Sequence, residues 1–152
     1  GGEAGAMALL DALRRAGAVA MGLAERCESA RLASPKVGVV APVRDAVALD
    51  GRRVAAGEAD LLARVVSMER LHRAIPLTGA MCLAACALAE GTVPRGCLRP
   101  GAAAAGVRVS TPSGVVTVDA VLADGVPPGV ERVTTYSTAR RLFDGRVWPR
   151  MH

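Results

Sequence analysis

From Gly79 to Ala89 the chain reads Gly-Ala-Met-Cys-Leu-Ala-Ala-Cys-Ala-Leu-Ala, a run with no charge and no polar face. It predicts a helix from Thr78 to about Glu90, with Gly91 ending it. A helix that is apolar all round belongs in an interior, so the other elements must wrap round it. Little bulky material is available to do so: Tyr136, Phe143 and Trp148 are the only aromatic residues. Ala, Val and Leu carry the packing instead, which favours close helix–helix and helix–sheet contact.

The flanking sequence supplies the wrapping elements. Met7, Leu10, Leu13, Val19, Met21 and Leu23 fall mostly at helical spacing between Ala6 and Arg26, with Arg14 and Arg15 on the opposite face. Gly22 is a stop for that helix, and Ser34-Pro35 closes the loop after it. Lys36–Ala41 has strand character and stops at Pro42, while Asp50-Gly51 is a hairpin signal. The spacing of Leu61, Leu62, Val65, Met68 and Leu71 predicts a second helix from about Glu58 to His72.

Beyond the apolar helix the chain turns to strands. Val107–Ser110, Val115–Leu122, Arg132–Tyr136 and Ala139–Trp148 are β-branched or alternating, separated by Pro112-Ser113-Gly114 and Gly125–Gly129. Asp144-Gly145 should fold the last run into a hairpin, and the Ala-Gly-rich Gly101–Gly106 reads as a linker. The order of elements predicts an α+β fold, a curled antiparallel sheet around a central buried helix. At 152 residues the chain makes one domain with a real core, burying roughly 68–70% of its unfolded surface.

Composition narrows the function classes. The net charge of +5 raises nucleic acid as a partner, yet the arginines are spread among acids and aromatic platforms are missing. A mild positive field of this kind fits small anions better. Lys36 is the single lysine and there is no Asn or Gln, a skew that reads as coding bias. Cys27, Cys82, Cys86 and Cys97 show neither a CxxC motif nor a dense disulfide framework, which points to a reduced, cytoplasmic setting. No membrane partner is expected: the longest uncharged stretch, Ala74–Ala89, is broken by Pro76 and Gly79 and is too short to span. No basic region precedes Met7–Leu13, so a signal peptide is not expected, and a start of Gly-Gly-Glu leaves a fragment as one reading.

Few residues carry chemistry. Thr78-Gly79-Ala80 opens the apolar helix, where unpaired N–H groups and the helix dipole make a carboxylate cradle. The alternative is that Thr78 is an ordinary N-cap and Gly79 a close-packing residue. Cys82 and Cys86 have the spacing of a two-thiolate metal clip but no third ligand nearby in sequence, so they are read as small core residues and no metal is assigned. Arg64, Ser67, Met68 and His72 form a block just before the cradle, with His72 either a pocket group or a structural histidine. Lys36 is either a binding cation or a solvated lysine. No catalytic triad, phosphate loop or dinucleotide fingerprint occurs.

Taken in order, several blocks resemble one family: Pro35-Lys36-Val37, Asp60-Leu61-Leu62-Ala63-Arg64, Ser67–Ala74, Thr78–Ala85, Gly91-Thr92-Val93, Pro112-Ser113-Gly114 and Thr138–Pro149. Together they are similar to the PrpF family, whose members isomerise 2-methylaconitate, oxalomesaconate or methylitaconate. The resemblance covers nearly the whole chain from Gly2-Glu3 onward. It implies a diaminopimelate-epimerase-like fold of two halves, each a curled sheet round a helix, with the active site between them. This chain would be the second half, with residues 1–33 as an interdomain helical segment and 34–152 as the domain itself.

The same resemblance sets expectations for the site. The family's catalytic lysine and cysteine belong to the first half, so no catalytic residue is expected here. Substrate carboxylates would be held by Lys36, by the Ser67-Met68 segment and by the N–H groups of Thr78, Gly79 and Ala80. No cofactor is implied. The expected partners are a small polycarboxylate, the N-terminal half and, as a further assembly, a second copy. Thr111 and Ser137 stand where the family often has His and Arg. The other class of function is a stand-alone, non-catalytic domain that binds an anion or a partner half.

Overall fold

The computed structural model describes residues 2–68, 70–102, 106–137, 139–146 and 148. Helix α1 spans Gly2–Ala20 and α2 spans Leu77–Leu88, with a short α3 at Val93–Cys97. The strands are β1 (Val37–Ala41), β2 (Ala46–Val47), β3 (Arg53–Val54), β4 (Leu61–Ser67), β5 (Arg70–Leu71), β6 (Val107–Thr111), β7 (Gly114–Leu122) and β8 (Val130–Thr135). The main sheet runs β1-β4-β6-β7-β8, with β5 pairing back on β4. Every junction is antiparallel except β4 with β6, which is parallel. This is an α+β fold built on an open sheet, with α2 laid across one face.

The core lies under α2. Ala80, Ala84, Ala85 and Ala87 pack on Leu61, Ala63, Val107, Val109, Val118 and Ala120. Alanines on the inner helix face let the helix approach the sheet closely, so no aromatic ring is needed as infill. The expectation that nearly all α2 side chains are buried is corrected. Leu77, Thr78 and Cys82 are exposed, because the sheet covers only one side of the helix. Gly22, with φ of +69°, closes α1 as expected, whereas α2 ends at Leu88 with Ala89 as an extended cap, short of the expected Glu90, and Gly91 (φ +77°) lies in the turn that follows.

The helix predicted over Glu58–His72 is instead β4, a turn and β5. Leu61, Leu62, Ala63 and Val66 are all buried, from both faces of the sheet. A strand covered on both sides reads as a nearly continuous apolar run, and over seven residues that run also satisfies a helical spacing. The β-branched pair Val65-Val66 was the sequence signal for strand. Two further expectations change. Residues 139–146 and 148 contain no strand or hairpin, and Leu142, Phe143 and Trp148 stand exposed. Thr138, Val147, Pro149 and the other residues from 149 on lie outside the described residues, as do Glu69 and 103–105 of the expected linker.

Helix α1 faces the domain differently from its expected orientation. Arg14 and Ala18 are its buried residues, while Leu9 and Leu13 are exposed. Arg14 can turn inward because its charge is met. Its guanidinium bonds Asp11 Oδ1 and donates to the carbonyl of Arg31 at 2.6 Å, tying the 27–34 loop to the helix. Burying a paired arginine is tolerable where burying a lone one is not.

Candidate functional site

A cleft of about 670 Å³ lies between the β1 edge of the sheet and the exposed side of α2. Its walls come from the Ala33–Lys36 loop, from β1, from Ala63 and Val65 of β4, from Thr78, Gly79, Cys82, Leu83 and Cys86 of α2, and from Val93 and Pro94 at the start of α3. The register explains the shape. Gly38 and Val40 pair with Val65 and Ala63, so their faces turn towards α2, and Gly38 leaves room there. Lys36 is the only charged residue of the lining, and its Nζ donates to Ala33 O at 3.3 Å.

The N-terminus of α2 opens at this cleft. The helix begins at Leu77 with Pro76 as N-cap, so Thr78 is not the cap and makes no capping bond. Ala80 N–H donates to Pro76 O at 2.9 Å, and the Ala80 side chain is fully buried. Leu77, Thr78 and Gly79 are therefore the first-turn residues whose N–H groups have no protein acceptor among the described residues. Partial positive charge gathers at such a terminus and favours a carboxylate. A side chain at Gly79 would come to 3.8 Å from Pro76, an ordinary contact, so Gly79 is not there to relieve a clash.

The structure brings together three of the six site residues expected from sequence. Lys36, Thr78 and Gly79 share the cleft, and Ala80 is sealed behind it. Ser67 and Met68 lie elsewhere, at the β4–β5 turn. There they line a small separate recess with Met7, Asp11, Arg14, Val37 and Val66. Met68 holds a φ of 52°, unusual for a residue with a side chain. Arg64 turns to the sheet face away from α2, where it donates to the carbonyls of Ala63 and Ser110. Burial, and then the nearby Arg44, lowers its pKa.

Two residues depart from their sequence reading. Cys82 is exposed on the cleft wall and is not a core residue, and Cys86 is half-buried beside it. Burial first, then the neighbouring Cys82, pushes the Cys86 thiol up, so Cys86 is not a ready thiolate base. Thr111 is buried in the β6–β7 turn, donating to Gly114 O at 2.9 Å and accepting from Ser113 N at 3.2 Å. It is not part of the cleft lining. No cluster of three or more His, Cys, Asp or Glu occurs among the described residues, and no described helix is long and apolar enough to cross a membrane.

The model of the family described as PrpF protein matches residues 2–150. The chain is 34% identical over 146 residues to a 2-methyl-aconitate isomerase of Shewanella oneidensis, covering 93% of this chain and 36% of that protein. It is 30% identical over 151 residues to a 3-methylitaconate isomerase of Eubacterium barkeri, covering 97% of this chain and 39% of that one. A crystal structure of methylitaconate-delta-isomerase superposes with a TM-score of 0.74 at 25% identity, over 86% of this chain and 36% of the other. The chain thus spans 36–39% of the length of these relatives.

Proposed function

The chain belongs to the PrpF family, and on that premise we propose that it is the C-terminal half of a cytoplasmic isomerase. Its reaction is the shift of a proton and a double bond in an unsaturated di- or tricarboxylate of the 2-methylaconitate, oxalomesaconate or methylitaconate type. Such a shift needs an acid/base pair and fixed positive charge that holds the carboxylates and the developing dienolate. This half provides the second requirement. The Thr78 and Gly79 N–H groups take one carboxylate at the α2 N-terminus, and the Lys36 ammonium offsets the charge that spreads as the proton leaves. The proton-transfer groups come from the N-terminal half, which closes the cleft and keeps water out. No cofactor enters the scheme.

The observation that carries this reading is that Lys36, Thr78 and Gly79 line one cleft in a chain of this family. Proton exchange of aconitate in deuterated buffer, followed by NMR, tests it. The chain alone is expected to leave the exchange at background, and the chain combined with the product of its upstream coding sequence is expected to raise it. Exchange by the purified chain alone would place the acid/base pair within these residues. An upstream sequence that encodes no second half would favour the stand-alone binding domain instead.

A further inference from the structure

Helix α1 buries two residues, Ala18 and Arg14, and the Arg14 side chain is 4% accessible. Arg14 Nε and Nη2 donate to Asp11 Oδ1 at 2.9 and 2.7 Å. Arg15 Nε donates to the other oxygen, Oδ2, at 2.6 Å. The bonds from Arg15 and Arg14 hold the Asp11 carboxyl below the usual carboxylate value. The remaining nitrogen of Arg14, Nη1, reaches out of the helix and donates to Arg31 O at 2.6 Å.

That carbonyl stands where packing gives little hold. Arg31, Leu32, Ala33 and Ser34 are all exposed, and a segment with so little buried contact is fixed by its polar ties. Arg31 O also accepts the Ser34 N–H at 3.3 Å, which closes a turn. From that turn Ala33 O accepts Lys36 Nζ at 3.3 Å, and the Ala33–Lys36 segment is itself part of the cleft wall. A paired, buried arginine adds little net stability over an apolar side chain of its size. What it adds is direction, because a planar guanidinium held at two nitrogens points the third along a fixed line.

We propose that Arg14 is a positioning residue for Lys36: through Arg31 O it fixes the turn that sets the ammonium at the cleft. Asp11 acts one step behind, holding the guanidinium in its plane. Neither residue lines the cleft. The effect on carboxylate binding rests on the reading of Lys36 given above, whereas the placement of Lys36 does not. Without Arg14 the turn moves freely, and the ammonium is ordered only when an anion arrives, at a cost in affinity.

Lys36 is the single lysine, so lysine-selective isotope labelling gives one backbone amide peak that reports the turn. Arg14→Met keeps an unbranched apolar side chain and removes the guanidinium. It should move that peak towards its position in the urea-unfolded chain, lower its heteronuclear NOE and weaken aconitate binding about threefold. Asp11→Asn retains an acceptor oxygen and should move the peak less, in the same direction. Ala18→Gly loosens the same helix without touching Arg14 and should leave the peak in place. A Lys36 peak unmoved by Arg14→Met, in a chain with native circular dichroism, overturns the proposal, as does an equal displacement by Ala18→Gly. If Arg14→Met fails to fold, Asp11→Asn decides alone: a displaced peak supports the positioning role and an unmoved one removes it. A displaced peak with unchanged aconitate affinity, or with no binding even by wild type, would strike Lys36 as the carboxylate contact and leave its placement by Arg14 intact.

Discussion

Arg108 grips Asp60 with a two-pronged guanidinium contact, Nε to Oδ2 at 3.0 Å and Nη2 to Oδ1 at 2.7 Å. The Arg108 backbone N–H adds a bond to Oδ2, and Arg99 Nη2 donates to Oδ1, each at 2.9 Å. The Asp60 side chain is 2% exposed. The backbone is tied at the same point: Asp60 N–H donates to Arg108 O, and Arg99 N–H donates to Asp60 O. Asp60 thus locks the entry of β4 to β6 and to the segment after α3, setting the parallel junction in register.

Asp60→Asn should destabilise the chain by about 1–3 kcal/mol, since it takes away the buried carboxylate that two half-exposed arginines donate to. Burial alone would raise the Asp60 pKa. The hydrogen bonds from the Arg108 side chain, the Arg108 backbone and Arg99 together outweigh burial and hold it below the ordinary carboxylate value. A depressed folded-state pKa contributes stability above the unfolded-state pKa, and that stability is lost as pH falls through the folded value. Denaturant melts at pH 7 and pH 3 should therefore show a steep acid loss in wild type and a shallower one in Asp60→Asn. Equal acid slopes would mean that other carboxylates govern the acid limb.

Lys36→Ala should weaken aconitate binding, and Gly79→Pro should weaken it further by deleting an N–H donor at the α2 N-terminus. In the open half-site the affinity should be weak and should fall with added salt, because exposed charges are screened within about 8–10 Å. Chemical-shift titration at two ionic strengths measures both effects. Shifts that map to the Ser67-Met68 turn and spare Thr78 and Gly79 would relocate the site to the smaller recess.

Ala6, Leu9, Leu13, Ala16 and Ala20 recur along the exposed side of α1, with Leu9 61% and Leu13 54% accessible. Leu9→Glu/Leu13→Glu should change the stability of the isolated chain by no more than about 0.5 kcal/mol, as surface substitutions do. It should abolish co-purification with the N-terminal half. Retained co-purification would show that the halves meet through another face, and sedimentation of the chain alone reports whether a second copy takes that role.

Ala84 is fully buried where α2 meets the sheet. Ala84→Leu should cost about 1–3 kcal/mol by forcing helix and sheet apart. Leu61→Ala, which empties the opposing wall, should cost about 2–5 kcal/mol. Thermal melts separate the two effects from wild type. A neutral Ala84→Leu would mean that the helix–sheet interface is looser than its alanine packing implies.

Local chemistry was enough to place α2, the strand at Lys36–Ala41, the Asp50-Gly51 hairpin and the strands from Val107 to Thr135. Each of those signals is short in range: a run of apolar residues, a turn glycine, or alternation along a strand. The resemblance of ordered blocks proposed Lys36, Thr78 and Gly79 as carboxylate contacts, and the three line one cleft. Tertiary structure decided the rest. Leu61–Ser67 is a strand because both of its faces are covered, and coverage is a property of neighbours distant in sequence. Ser67 and Met68 part from Thr78 because that strand ends in the tight β4–β5 turn, where the two residues line a separate recess. Asp60 gained its role only when Arg99 and Arg108 arrived from some 40 and 50 residues downstream (separations of 39 and 48). Cys82 lies on the surface because a single sheet covers one side of a helix and leaves the other open, which a sequence apolar on all sides could not reveal.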